Sequence, residues 1–302
     1  MIRPEERYIS ANGLTFHLID WGGHALSDSP PGSRVRPWGG KWLILLHGLA
    51  SQAHMFDLVA PLLTDSFRVM AIDQRGHGLS DKPDSGYDFA TVASDLDAIL
   101  NVLRIDRAVL AGHSWGGNVA VQYAADQPDR VSGLILIDGG FLQMGDRLDW
   151  PSAEKFLEPP DLIGMPVDEF RAGMKGWMGS AWSPEAEAIT LRNFEIRADG
   201  TIAPQMRKSN HMQVVRALWE HRPSELWARI QCPVLMIPAV GPEPHDARTR
   251  AVLENRRRDI ATAEARLKQS QTLWMMNTIH DIPLQRPAEL VEAIKTWQVF
   301  TH

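Results

Sequence analysis

The sequence predicts an α/β protein: an eight-stranded, mostly parallel sheet flanked by helices and interrupted once by a helical cap insertion. Short aliphatic or β-branched runs alternate with longer stretches whose apolar residues recur every three or four positions, as strands separated by amphipathic crossover helices do. The 302 residues, 44% hydrophobic and 23% charged, suit one large domain or a domain with a sizeable insertion, and supply enough apolar chain for a substantial core. From about Phe141 to Trp227 the alternation stops.

Taken in order, strands are expected near Tyr8 to Ser10, Thr15 to Asp20, Trp42 to Leu46, Arg68 to Ile72, Ala108 to Ala111, Gly133 to Ile137, Val234 to Ile237 and Thr272 to Met276. Helical periodicity marks Met55 to Leu63, Tyr87 to Leu103, Trp115 to Gln127, Arg248 to Lys268 and Pro287 to Trp297, with Pro287 at a helix start, where its missing N–H costs little. His24 to Gly40, rich in Ser, Pro and Gly, reads as a surface loop. The interrupted stretch has no convincing strand, only helical fragments punctuated by prolines, so residues 1–140 and 228–302 form the expected core and 141–227 the cap. Its Trp150, Trp177, Trp182, Trp219 and Trp227, with Met144, Met165, Met174, Met178, Met206 and Met212, suit an adaptable apolar pocket, although any one of them can equally pack the cap on the sheet.

Bulk chemistry narrows the functional classes. A formal net charge of -6 and a pI near 6.0 give no general attraction to nucleic acid, and Arg256-Arg257-Arg258, set among Glu254 and Asp259, reads as a solvated helix face. The single cysteine, Cys232, reads as a small core residue and excludes an internal disulfide framework or a cysteine-rich zinc site. Met1 to Arg7 carries charges of both signs, and no apolar run approaches the roughly 20 residues that span a bilayer. A soluble cytoplasmic protein without a membrane partner is expected.

The segment Gly112-His113-Ser114-Trp115-Gly116 follows an apolar strand and opens a helix. A strand turning abruptly into a helix strains its central residue and crowds the neighbours, so small residues are needed on either side. Ser114 is thereby displayed at a helix N-terminus, where the dipole favours developing negative charge. A serine hydroxyl needs a base to attack at neutral pH, and His280, placed after the last strand, is the candidate. His47 and His77 fall at the same sheet edge and His113 inside the turn, without that placement.

On these residues the chain resembles the α/β-hydrolase fold family over nearly its whole length. His47-Gly48-Leu49 looks like that family's oxyanion loop, and Asp73-Gln74-Arg75-Gly76-His77-Gly78-Leu79-Ser80-Asp81-Lys82-Pro83 like its glycine-rich turn; Arg75 and His77 read as structural turn residues. The resemblance implies an oxyanion hole made by the backbone N–H groups of Leu49 and Trp115. The acid departs from the commonest pattern, which places an Asp shortly after the strand that here reads Pro233-Val234-Leu235-Met236-Ile237. A proline stands where that Asp would fall. Asp138, 24 positions after Ser114, resembles the alternative acid site of some haloalkane dehalogenases and zearalenone-type lactone hydrolases, and it ranks ahead of Glu243, with Asp246 behind both.

The resemblance implies a serine hydrolase that cleaves a carboxylic ester or lactone of a small apolar substrate through an acyl-enzyme, with no cofactor and no metal. A serine at the turn argues against dehalogenase and epoxide-hydrolase chemistry, where a carboxylate attacks saturated carbon. Carbon–carbon hydrolysis of a diketone-like substrate, and cofactor-free haloperoxidase or dioxygenase chemistry, are the alternatives on this fold. From another class comes a triad-bearing receptor that signals through its cap.

Overall fold

The computed structural model describes residues 4–23, 41–243 and 246–297, so the loop expected over His24 to Gly40 lies outside the described residues. The strands are β1 (Glu5–Ala11), β2 (Leu14–Gly22), β3 (Trp42–Leu46), β4 (Arg68–Ile72), β5 (Ala108–His113), β6 (Val131–Ile137), β7 (Phe194–Ile196), β8 (Ile202–Pro204), β9 (Val234–Ile237), β10 (Ala239–Val240), β11 (Ser270–Thr272) and β12 (Met275–Met276). The α-helices are α1 (Phe89–Val102), α2 (Trp115–Asp126), α3 (Trp150–Leu157), α4 (Val167–Met178), α5 (Pro184–Leu191), α6 (Lys208–Glu220), α7 (Pro223–Leu226), α8 (Ala247–Arg266), α9 (Ile282–Gln285) and α10 (Pro287–Trp297).

Eight strands make one sheet in the order β1-β2-β4-β3-β5-β6-β9-β11. β1 and β2 form a hairpin through Asn12 and Gly13, whose positive φ values of 48° and 74° match the turn that twisted strands require. β2 meets β4 antiparallel, and the remaining pairs are parallel. Because side chains alternate along a strand, Leu43 and Leu45 enter one apolar cluster and Ile44 and Leu46 the other; β6 divides Ile135 and Ile137 from Leu134 and Leu136 in the same way. Helices α1, α2 and α8 cover the first face through Leu96, Val119 and Ile260, and α10 covers the second through Leu290, Ile294 and Trp297. The parallel strands therefore deliver their following loops to one edge of the sheet.

Three local expectations are corrected. Met55 to Leu63 is not one helix: Pro61 has no N–H to continue the ladder, and two 3-10 turns form at Ala53–Phe56 and Ala60–Leu63. The last expected strand, Thr272 to Met276, is split. β11 pairs with β9 in the main sheet while β12 pairs with β10, because Pro238 lacks the N–H that would carry the ladder across. The segment between β6 and β9 contains a short hairpin, β7 with β8, turning at Asp199-Gly200 with Gly200 at φ 79°. Its strands of three residues are too short to show alternation.

The rest of that segment is helical, α3 to α7, and it holds a small apolar cluster of its own around Phe170, Met174, Met178 and Leu191. Met206 and Trp227 instead join the main core, and Trp150 and Trp219 meet edge-on around Arg216. Most of the tryptophans and methionines thus pack the fold. Trp177 and Met144 reach the cavities described below.

Candidate active site

Ser114 sits between β5 and α2 with φ 52° and ψ -121°, a conformation non-glycine residues adopt only when the surroundings impose it. The imposition is visible in the backbone. A Cβ on Gly112 would lie 2.2 Å from the Gly116 carbonyl oxygen, and one on Gly116 the same distance from that of Leu46, so both positions require glycine. Ser114 N–H donates to Ile137 O at 3.0 Å, which ties the turn to the end of β6.

Asp138 follows β6 directly. Its φ is 43°, and its N–H donates to Ile237 O at 2.9 Å. The carboxylate is 1% exposed and serves two partners: Oδ2 accepts from His280 Nδ1 at 2.7 Å, while Oδ1 accepts from Ala239 N–H at 2.9 Å and lies 3.1 Å from Arg256 Nη1. Burial pushes the Asp138 pKa up, but the hydrogen bond and charge of His280, then Arg256 and the Ala239 N–H, outweigh it and hold the carboxyl below the usual carboxylate range. Glu243, by contrast, is exposed and lines neither cavity beside Ser114.

The His280 ring is 52% exposed, and it lines two cavities that also hold Ser114 and Leu49. Its depth in the protein pushes the imidazole pKa down, whereas the hydrogen bond and charge of Asp138 and the charge of Asp281 push it up, with a net rise. Among the described residues no hydrogen bond joins Ser114 Oγ to His280; before substrate is bound such bonds are often open. His113 holds the loop from below, Nε2–H donating to His280 O at 2.9 Å with the two rings 4.7 Å apart. Burial first, and the facing His280 second, bring its pKa down to about 4, so it stays neutral.

The larger cavity, about 370 Å³, brings Leu49 and Trp115 to the wall beside Ser114. Trp115 is the first residue of α2, so its N–H has no partner within the helix. The Leu49 N–H makes no backbone hydrogen bond within the described residues. The loop carrying Leu49 is fixed by buried His47, whose Nδ1–H donates to Gly48 O at 2.7 Å while Nε2 accepts from Gln74 N–H at 3.1 Å. Burial lowers the pKa of that ring, consistent with its neutral hydrogen-bonding pattern. Arg75 grips Asp95 with two hydrogen bonds of 2.7 and 2.8 Å, and His77 stacks on Trp115 with centroids 5.0 Å apart, so both serve the turn.

Two residues of the site were not visible in the sequence reading. Arg256, expected in solvent, is half-buried against Asp138, and only Arg257 and Arg258 of that cluster are exposed. The signal lies in α8, where buried Leu253 precedes Arg256 by three positions and buried Ile260 follows by four, so all three share one helix face. His211, on α6 with buried Val214 and Val215, lines the larger cavity. Its Nε2–H donates to Leu157 O at 2.9 Å, and burial lowers its pKa, so the ring is neutral with Nδ1 as an acceptor. No cluster of metal ligands occurs among the described residues, and no helix among them is long and apolar enough to cross a membrane.

The alpha/beta hydrolase fold family model matches residues 41–168, a stretch containing Leu49, Ser114 and Asp138 but not His280. The chain is 39% identical over 99 residues to a 2-(acetamidomethylene)succinate hydrolase of Mesorhizobium japonicum and 38% identical over 113 residues to a soluble epoxide hydrolase of a Corynebacterium species. Those matches cover 33% and 37% of this chain and only 36% and 40% of the relatives. The crystal structure of E-2-(acetamidomethylene)succinate hydrolase superposes with a TM-score of 0.75 at 21% identity, over 98% of this chain and all of that one. The sheet order, the strained turn at the end of β5 and these matches agree: the chain has the α/β-hydrolase fold, and its residues 41–168 match the model of that family.

Proposed function

We propose that this protein is a serine hydrolase that cleaves a carboxylic ester or lactone in a neutral, largely apolar substrate. The observation that carries the reading is the convergence of Ser114, the 2.7 Å His280–Asp138 pair and the two open N–H groups of Leu49 and Trp115 on one cavity. Ser114 Oγ attacks the carbonyl carbon as His280 Nε2 takes its proton, and Asp138 holds Nδ1–H and stabilises the imidazolium. The Leu49 and Trp115 N–H groups bind the oxyanion, each worth about 10²–10³ in turnover in such sites. The intermediate collapses, the imidazolium protonates the departing alcohol, and a water activated by His280 releases the acid and restores Ser114.

Neither cavity has a Lys or Arg among its described lining residues, which disfavours a dianionic substrate of the kind named for the superposed hydrolase. The larger cavity is walled by Leu142, Met144, Leu157 and Leu218, with His211 as a polar contact suited to a substrate hydroxyl or N–H. The inserted segment acts as a cap that supplies these groups. A panel of p-nitrophenyl esters and aryl lactones, neutral and anionic, tests the proposal: neutral substrates should turn over and Ser114→Ala should not. Slow turnover of every ester, with ligand-dependent capture of a protein partner, would favour the receptor reading.

A further inference from the structure

The acid of this site lies between two basic side chains, one on each carboxylate oxygen. Oδ2 faces His280 Nδ1 at 2.7 Å, and Oδ1 faces Arg256 Nη1 at 3.1 Å. Arg256 is 16% exposed, and Nη1 also donates to the Ala239 carbonyl oxygen, while the Ala239 N–H donates to Oδ1. One carboxylate oxygen is therefore held by an ion pair to Arg256 and by a hydrogen bond from the Ala239 N–H. Just past the end of β9, where the commonest pattern carries the acid itself, Ala239 of β10 here supplies the backbone N–H that cradles an acid displaced to the end of β6.

We propose that Arg256 is a positioning residue of the site: it fixes Asp138 Oδ1 so that Oδ2 is presented to His280, and its charge counters the carboxylate from the far side. The inference rests on the roles proposed above for Asp138 and His280. A carboxylate with a single cation gives all its charge to that cation, whereas one held between two gives less to each. Arg256 thus limits how strongly Asp138 stabilises the imidazolium and keeps His280 available as a base nearer neutrality. Other groups facing His280 are Asp281, which acts with Asp138, and neutral His113, which does not change charge in this range.

The test is to follow the His280 ring by NMR in histidine-labelled protein through a pH titration, with His280→Asn to assign the signal. This readout needs no substrate, so it separates the present inference from the ester-hydrolase reading. In Arg256→Met and in Arg256→Gln, which keeps a donor without charge, the His280 titration should move up by about 1 pH unit. Arg256→Lys should return most of the shift. On an ester substrate, the acid limb of kcat/KM should move in the same direction, with a fall of about 10-fold in kcat at its plateau. Thermal unfolding of each variant shows whether it is folded at the titration temperature, and Arg256→Gln stands in if Arg256→Met is not. A His280 titration that is unchanged or lowered in the folded neutral variants overturns the proposal, as does failure of Arg256→Lys to restore it.

Discussion

The ends of β5 and β6 lie side by side and hold the two residues that define the site, yet they are built in opposite ways. Ser114 and Asp138 both have positive φ, 52° and 43°. Ser114 is shaped first by its own neighbours, Gly112 closing on Gly116 within a few residues of chain, and the turn then packs on Leu46 at the end of β3 and on Ile137. Asp138 is held by partners from far along it: Ala239 at the start of β10, Arg256 on α8 and His280 after β12. A locally built feature is a property of sequence, whereas a remotely built one exists only when the sheet has formed. Substitutions at the first end should act through the turn itself, and those at the second through electrostatics.

The largest expected effect breaks the comparison at the serine. Ser114→Ala should lower kcat on an activated ester by about 10⁶ while leaving the fold intact, as measured by turnover and circular dichroism. Turnover within tenfold of wild type would refute the nucleophile. Next, Asp138→Asn should cost about 10⁴ in kcat, because the imidazole loses the partner that fixes its tautomer. A merely structural Asp138 would show its loss in thermal stability with kcat preserved.

Gly116→Ala sharpens the contrast from the other side. Its Cβ would stand 2.2 Å from the Leu46 carbonyl oxygen, backbone that cannot swing away, so about 1–3 kcal/mol of stability should be lost in urea unfolding. A neutral result would mean that the turn is not locked against β3. The pH profile gives a gentler test. His280 must be neutral to act as base, and its pKa is raised, so activity should fall as pH drops through a value above the ordinary histidine range near 6.5. A profile flat down to about pH 5 would exclude His280. The smallest effect belongs to Glu243→Gln, expected to change kcat/KM by less than about twofold, since exposed Glu243 lines neither cavity beside Ser114.

Strand alternation over β3, β4, β5, β6 and β9 was legible because buried parallel strands are nearly continuous aliphatic runs. The β7–β8 hairpin and the break at Pro238 were not, because two or three residues carry no period and a lost ladder bond shows only once the partner strand is known. Arg256 was misplaced for a related reason: a charge run reads as solvent-facing until each member is assigned to a helix face, and Leu253 and Ile260 place this one inward. His211 carried no motif at all.

By itself the sequence determined the sheet, the strained turn and the presence of a serine at its apex, because glycines, β-branched runs and helix starts act over a few residues. Tertiary structure alone decided the rest: that Asp138 rather than Glu243 meets the His280 ring, that Arg256 meets the other oxygen, and that no described cation lines the cavities. Those contacts join residues more than a hundred positions apart, and hydrogen bonds and charge pairs over such separations leave no period or spacing in the chain.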